Sequence, residues 1–479
     1  MAPTDPPKRS YLGTPATAPG PAGPDMLRAF GEIRGNPLAY LARTWEQFGD
    51  VVQFPVPRPP SYLVVDPGGV RQVLVGHARN YGKSTIQYRA LSLVTGEGLL
   101  TADTEQARVQ RPTVQPAFHH RTLQAVAGHV AAAVDRVSTD WSRRIDQARM
   151  DQARMEAVLD GAVIDVDETM MHAALEVVGH ALFGADLSGD ADRLARATLQ
   201  ALDVVIARAR VPITPPQWVP TVGNVRLRRA NAELDRAVRA MTSARMSRSA
   251  EPEQPDMLDL LLAVRDDHGA PLTQEQIRDQ MVTFIVAGHE TVASALTWSW
   301  ALLASHPQWQ QALQVEADTV LGERLPTIED YQRLTVARAI QDEALRLYPP
   351  AWLITRKSRT TEVLGGREVP GGALIIMSPW LLHRHPQVWP NPEQFDPSRF
   401  LEGAAERSAF IPFGAGPRLC IGRDFALVEG ALMLSGLARR FNLSYPTGGA
   451  LPQAEPLVTI RPHGGLPLVI QRRSAGPSA

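Results

Sequence analysis

Cysteine is almost absent: Cys420 is the only one in 479 residues. A lone cysteine excludes an internal disulfide framework, a multi-cysteine zinc site and a cysteine-ligated iron–sulfur cluster. What survives is a buried apolar filler, a nucleophile or a single thiolate ligand. Lysine is scarce too, since Lys8, Lys83 and Lys357 are the only lysines among 49 basic residues. Neither sign of charge is in excess, because 50 acidic residues leave a net charge of −1. That balance gives no footprint for nucleic acid or an anionic membrane surface. Nor is there a clean spanning segment. The most apolar stretch, 284–305, carries His289 and Glu290 near its start, and an unpaired carboxylate there argues against a bilayer helix. The first 24 residues hold seven prolines and read as a disordered leader with no targeting signal. A soluble, cytoplasmic chain is the expectation.

What is present is a large apolar fraction, 44%, enough for one large domain over 25–479. A short amphipathic helix is expected from Pro37 to Phe48, followed by strands at 50–54 and 62–65 around a Pro-rich turn. From about Glu105 to Leu321 the pattern is mainly helical, with breaks at 184–189, 212–220 and 249–255. A tandem copy of five residues, DQARM at 146–150 and 151–155, is too short for a repeat architecture and suits a surface helix end. The longest helix runs from Gln274 to about Leu303, with Thr273 and Gln276 as a capping box and His306-Pro307 as the stop. A second runs from Leu334 to Leu347. Short strands follow at 362–364 and 373–377, then a Pro-rich irregular stretch and a last helix over about 424–440. The fold class is mainly α, with small β-sheets.

Chemistry concentrates in Phe413-Gly-Ala-Gly-Pro-Arg-Leu-Cys420-Ile-Gly422, a glycine-rich loop running into an apolar helix. Free backbone N–H groups and the positive helix end there favour a thiolate over a thiol. Gly416 and Gly422 allow backbone to approach something flat, and Arg418 adds a cation. A buried structural cysteine is the bland alternative. The string F-x-x-G-x-R-x-C-x-G resembles the haem-ligand signature of the cytochrome P-450 family. That resemblance implies a single domain holding haem b between the long helix and the cysteine loop, with Cys420 as the axial ligand of iron.

Other segments extend the resemblance over nearly the whole chain after about residue 25. Ala287-Gly288-His289-Glu290-Thr291 interrupts the long apolar helix and is similar to the family's oxygen-binding groove. There Thr291 and Glu290 would handle protons as catalytic residues, beside Ala287 and Gly288. A mid-helix Thr bonding to the preceding turn would loosen the ladder and kink it. Glu343, Arg346 and Arg399 resemble the family's buried Glu–Arg–Arg arrangement, a folding lock without chemistry. Arg356 and Arg111 would contact haem propionates, with Phe413, Arg418, Gly416 and Gly422 around the cofactor. Four residues before Arg111 the family usually has Trp or His, whereas this chain has Ala107. His119-His120, His383 and His385 lack the spacing of a helical zinc site.

The resemblance implies a monooxygenase using O2 and two electrons to hydroxylate an unactivated C–H bond. Only 59 residues follow Cys420, too few for a flavin or ferredoxin domain, so a separate ferredoxin and its reductase are the expected partners. A narrower likeness, in 287–300, 344–352 and 418–430, is to soluble bacterial members that hydroxylate the β-ring of carotenoids. A fatty-acid or terpenoid hydroxylase is the alternative, and a haem-thiolate sensor without activity is the remote one. Segments 82–98 and 191–247, the latter with Leu199, Leu202, Val204, Val205 and Trp218, are expected to shape an apolar pocket. A loose membrane contact for collecting substrate stays open.

Overall fold

The computed structural model describes residues 16–55, 60–155, 161–184, 201–202, 204–205, 216, 218–247, 255–265, 269–401 and 408–473. Its centre is the helix Gln274–Ser305, 32 residues long, or roughly 48 Å at 1.5 Å per residue. Its start is fixed as expected. The Thr273 hydroxyl accepts from the Gln276 N–H at 3.2 Å, and the Gln276 amide oxygen accepts from the Thr273 N–H at 2.8 Å. Buried residues line almost its whole length, and a helix apolar all round belongs inside a core. It stays α-helical through Gly288 and Thr291, so no break in the ladder accompanies the threonine.

The helices Ile86–Thr95, Val166–Phe183, Val222–Met246, Thr335–Leu347 and Arg423–Ala438 pack on it, and His120–Met155 packs on Val166–Phe183 and Arg423–Ala438. The Val166–Phe183 helix comes closest, because Gly288 meets Val178 where the two cross. It ends at Gly184, whose φ of +55 closes the helix at the first expected break. The DQARM duplication lies in the last turns of His120–Met155, as expected for a helix end.

The largest sheet has five strands in the spatial order Val51–Phe54, Ser61–Val64, Leu374–Met377, Ile354–Ser358, Tyr81–Gly82. Ser61–Val64 runs parallel to Leu374–Met377, and the other pairs are antiparallel. A second sheet joins Ala162–Asp165, Pro467–Arg472 and Phe441–Ser444. These C-terminal strands, with the hairpin Ala454–Pro456 and Ile460–Pro462, lie outside the sequence expectations, although Phe441–Ser444 alternates apolar and polar residues.

Residues 16–24, expected within the disordered stretch, are ordered. The N–H of Thr17 donates to the Gln53 side-chain oxygen at 2.8 Å, and Gln53 N–H donates back to Pro19 O at 2.8 Å. Ala18 is buried, so this segment belongs to the sheet edge, and a helix begins at Gly23. Residues 1–15 lie outside the described ones. Among the described residues no helix is long and apolar enough to cross a membrane.

Candidate active site

A cavity of about 1000 Å³ opens between the central helix and the loop 412–422. Loop and helix are brought together by the packing of Arg423–Ala438 against both the central helix and Thr335–Leu347. Cys420 lines the cavity, its N–H donating to Phe413 O at 2.9 Å, so the loop closes on itself around the sulfur. Burial pushes the Cys420 thiol up from its ordinary value, against the Gly422 N–H and the charges of Arg111, Arg423 and Lys83. The loop and helix end therefore act in the expected direction, but desolvation of the sulfur outweighs them. A metal ion on the sulfur would reverse the balance, because coordination deprotonates a thiol.

Phe413, Arg418 and Gly422 line the cavity; Gly416 does not. Gly416 has φ +67, and a Cβ there would overlap the Leu74 carbonyl oxygen. Its smallness answers to residues 72–76, not to a flat ligand. Gly414, with φ +70, lines the cavity instead.

The cavity is strongly cationic on one side. Arg111 donates to Leu419 O at 2.9 Å, Arg418 to Ala102 O at 3.0 Å, and Arg356 to Tyr88 Oη at 3.2 Å. Lys83, missed in the sequence reading, joins them, its Nζ donating to Leu100 O at 2.8 Å and lying 4.8 Å from the Tyr88 ring. Burial, with Arg356 and Arg418 beside it, pushes the Lys83 amine well below its ordinary value. Burial and Arg356 likewise lower Arg418. Glu105 is the sole acidic residue among those lining the cavity. Arg418 Nη2 is buried without a partner. Converging cations with an unpaired donor fit a ligand that brings carboxylates. Ala107 also lines the cavity, so its short side chain leaves space that Lys83 and Arg108 border.

The opposite wall is apolar. Ala287, Gly288, Thr291, Val292 and Ala295 face the cavity from the central helix, with Val178 and Leu182 beside them. Thr291 Oγ1 donates to Ala287 O at 2.7 Å, the back-bond expected of a mid-helix threonine. Glu290 is not in this wall. It is 5% exposed, and its Oε2 accepts from Thr459 Oγ1 at 2.9 Å in the C-terminal hairpin region. A helical neighbour of Thr291 points about 100° away from it, so sequence adjacency places Glu290 behind the wall.

Glu343, Arg346 and Arg399 come together in a buried cluster. Arg346 Nε and Nη2 donate to the two Glu343 oxygens, each at 2.7 Å, and both side chains are fully buried. Arg399 Nε lies 3.5 Å from Glu343 Oε1. Arg346 also donates to the backbone oxygens of His383, Pro392 and Gln394, which ties the irregular stretch to the helix. His383 belongs to this lock: its Nε2 accepts from Ile411 N–H at 2.9 Å, and its Nδ1 lies 3.2 Å from Arg346 O. Among the described residues no cluster of His, Cys, Asp or Glu could hold a metal ion.

The profile of the cytochrome P-450 family matches residues 19–468. The chain belongs to the cytochrome P-450 family. Cyclooctatin synthase of Streptomyces melanosporofaciens is 36% identical over 417 residues, 85% of this chain and 86% of that protein. Cyclooctat-9-en-7-ol 5-monooxygenase of the same organism is 35% identical, covering 93% of each chain. Among solved structures, CYP175A1 from Thermus thermophilus superposes with a TM-score of 0.71 at 33% identity, over 93% of this chain and 98% of that one. Fold class, haem b as cofactor and a monooxygenase reaction on a small molecule, with O2 and redox partners, follow from membership. The cytochrome P-450 site of this chain fits that cofactor: a sulfur at one wall, a carboxylate-seeking cation cluster at one side and an uncharged helix wall opposite.

Of the two segments expected to shape the pocket, one does. Lys83 and Tyr88 line the cytochrome P-450 cavity from 82–98, joined by Leu99 and Leu100. No described residue of 191–247 lines it. Leu202, Val204 and Val205 pack in the main core, whereas Trp218 is exposed. Leu199 lies outside the described residues. Val178 and Leu182 also line the cavity, from a helix whose uniform apolarity hides which residues face it.

Proposed function

We propose that this cytochrome P-450 hydroxylates an unactivated ring C–H bond of a large apolar isoprenoid, with the β-ring of a carotenoid as first candidate and a cyclic terpenoid as second. The observation that carries the reading is the uncharged wall of the central helix, Ala287, Gly288, Val292 and Ala295, facing Cys420 across the cavity. A fatty-acid carboxylate would need a cation on that wall, and none is there. The terpenoid reading draws on the names of the cyclooctatin relatives and of pentalenene oxygenase from Streptomyces avermitilis, 32% identical over 434 residues. The carotenoid reading draws on the LUTEIN DEFICIENT 5 protein of Arabidopsis thaliana, 31% identical over 446 residues and covering 71% of that protein.

In this reading Cys420 is the thiolate ligand of haem iron. Arg111, Arg356, Arg418 and Lys83 hold the propionates. Haem supplies the activation of O2 with two electrons from a separate ferredoxin and reductase, and the cytoplasm is the expected compartment. The apolar wall orients the substrate and excludes bulk water, and Thr291 holds an exchangeable proton at the wall. Glu290 reaches the cavity only by giving up Thr459, so it acts as a reserve behind Thr291.

The optical spectrum of the ferric holoprotein tests the substrate. Titration with a β-ring carotenoid, a cyclic diterpene alcohol and a long-chain fatty acid should produce a high-spin shift with the isoprenoids alone. A shift with the fatty acid alone would withdraw the isoprenoid reading. Cys420→His should retain haem and lose hydroxylation, and an active His variant would remove the thiolate from the mechanism.

A further inference from the structure

Between the helix Ile86–Thr95 and Asp103 the chain runs as a seven-residue strap, 96–102, whose Leu99 and Leu100 line the cavity. It has almost no regular structure, yet side chains from other elements grip its backbone repeatedly. In the last helical turn that leads into it, Leu93 O accepts from Asn231 at 2.8 Å and Val94 O from Arg278 at 2.7 Å. The N–H of Glu97 donates to Asp279 Oδ2 at 2.8 Å, and that of Leu99 to Gln280 Oε1 at 3.2 Å. Leu100 O accepts from Lys83 and Ala102 O from Arg418, the two cavity cations described above.

Three consecutive residues of one turn of the central helix thus hold this segment: Asp279 and Gln280 hold the strap at two points, and Arg278 holds the helix end before it. The same helix presents Ala287, Gly288 and Thr291 to the cavity about two turns later. Asp279 and Gln280 are themselves buried, 8% and 5% exposed, and Arg278 is braced by Asp235 at 2.8 Å. The approach is close enough to require glycine twice. Gly96 has φ +58, and a Cβ there would overlap the Asp279 carboxylate. A Cβ at Gly98 would overlap Thr283 Oγ1. A loop gripped at both amides and carbonyls does not behave as a surface loop with its own fluctuations.

We propose that Asp279 is a positioning residue for substrate selection: through Glu97 N–H it sets the strap, and with it the Leu99 wall, over the site. This rests on the proposed apolar-substrate reading only in what the wall selects. The positioning claim concerns the wall itself. Because Lys83 and Arg418 hold the far end of the strap while facing the cofactor's carboxylates, the same segment also ties cofactor seating to the position of the substrate wall.

The test uses two azoles that bind ferric haem in the holoprotein, imidazole and 4-phenylimidazole. The first is too small to press on the Leu99 wall, and the second carries a ring that packs against it. Asp279→Ala should weaken 4-phenylimidazole about tenfold while leaving imidazole within about twofold, the scale of one lost charge-assisted bond to a backbone N–H. Amide exchange at Glu97 and Leu99 should accelerate with haem content unchanged. Asp279→Asn keeps one acceptor oxygen and should recover most of the discrimination. Gln280→Ala, which frees only the Leu99 N–H, gives the same readout with less risk to folding. Unchanged azole discrimination in a folded Asp279→Ala, or unchanged exchange at Glu97, overturns the proposal; where Asp279→Ala does not fold, unchanged discrimination in Gln280→Ala does so. Neither azole is an isoprenoid, so a failure of the isoprenoid titration leaves this result readable by itself.

Discussion

At the scale of single residues, burial decides what each titratable group does here. Cys420 is exposed to the cavity, and the protein around it pushes its thiol up from the ordinary value; at Lys83 burial acts in the same sense, against the charged form. Its amine is buried among arginines and pushed well below its ordinary value, so a bound carboxylate restores the partner that the cluster lacks. Lys83→Met should keep the side chain's length and remove that charge. Transfer of haem from the variant to excess apomyoglobin should be about tenfold faster than from the parent, the scale of a charge-assisted bond. An unchanged transfer rate would assign Lys83 to the strap alone. Nothing in the sequence near Lys83 signals this role. It became visible only when the cavity placed it beside Arg356 and Arg418.

At the scale of elements, the crossing of the central helix over Val166–Phe183 shows why a glycine sits one turn before Thr291. Helix propensity alone makes Gly288 a weak point. The structure gives it a second meaning, since a Cβ there would come 2.6 Å from Val178 Cγ2. Valine in a helix has essentially one rotamer and cannot step aside. Gly288→Ala should therefore cost about 1–3 kcal/mol by overpacking, read as a lower urea midpoint. Val178→Ala combined with it should recover most of the loss. A double variant no more stable than Gly288→Ala would place the need for glycine on the cavity side instead. The Glu343–Arg346 pair is also an element-scale feature: its spacing of three residues gives an ion pair on one helix face, and the resemblance to the family implied its burial. Glu343→Ala would leave a fully buried guanidinium unpaired, at a cost of about 3–5 kcal/mol. A fall in urea midpoint much smaller than that would mean that the three backbone carbonyls satisfy Arg346 without Glu343.

At the scale of the whole molecule, the lock joins the helix Thr335–Leu347, the irregular stretch 383–396 and the approach to the cysteine loop at Ile411 into one unit. His383 is its titratable member. Burial pushes its pKa down to about 3, from an ordinary 6.5, so it is neutral when folded. The unfolded chain binds a proton there below about 6.5 and the folded one does not. The contribution is therefore complete above that pH and is lost as pH falls towards about 3. Urea midpoints should decline below the ordinary histidine range, with His383 adding up to roughly 1.4 kcal/mol per pH unit. His383→Asn should be less stable at neutral pH but lack that part of the slope. An identical slope in the variant would assign the acid sensitivity to other groups. The sequence by itself determined the helix-rich class, the capped central helix, the loop that carries Cys420 and the Glu343–Arg346 pair, because each is written in residues a few positions apart. Only the tertiary structure decided that Glu290 turns to Thr459 and that Gly416 serves Leu74. It also decided that Lys83 joins the cations and that Asp279 holds a strap 182 residues away in sequence. Those outcomes depend on what lies across the fold from each residue, and periodicity and motif spacing carry no record of that.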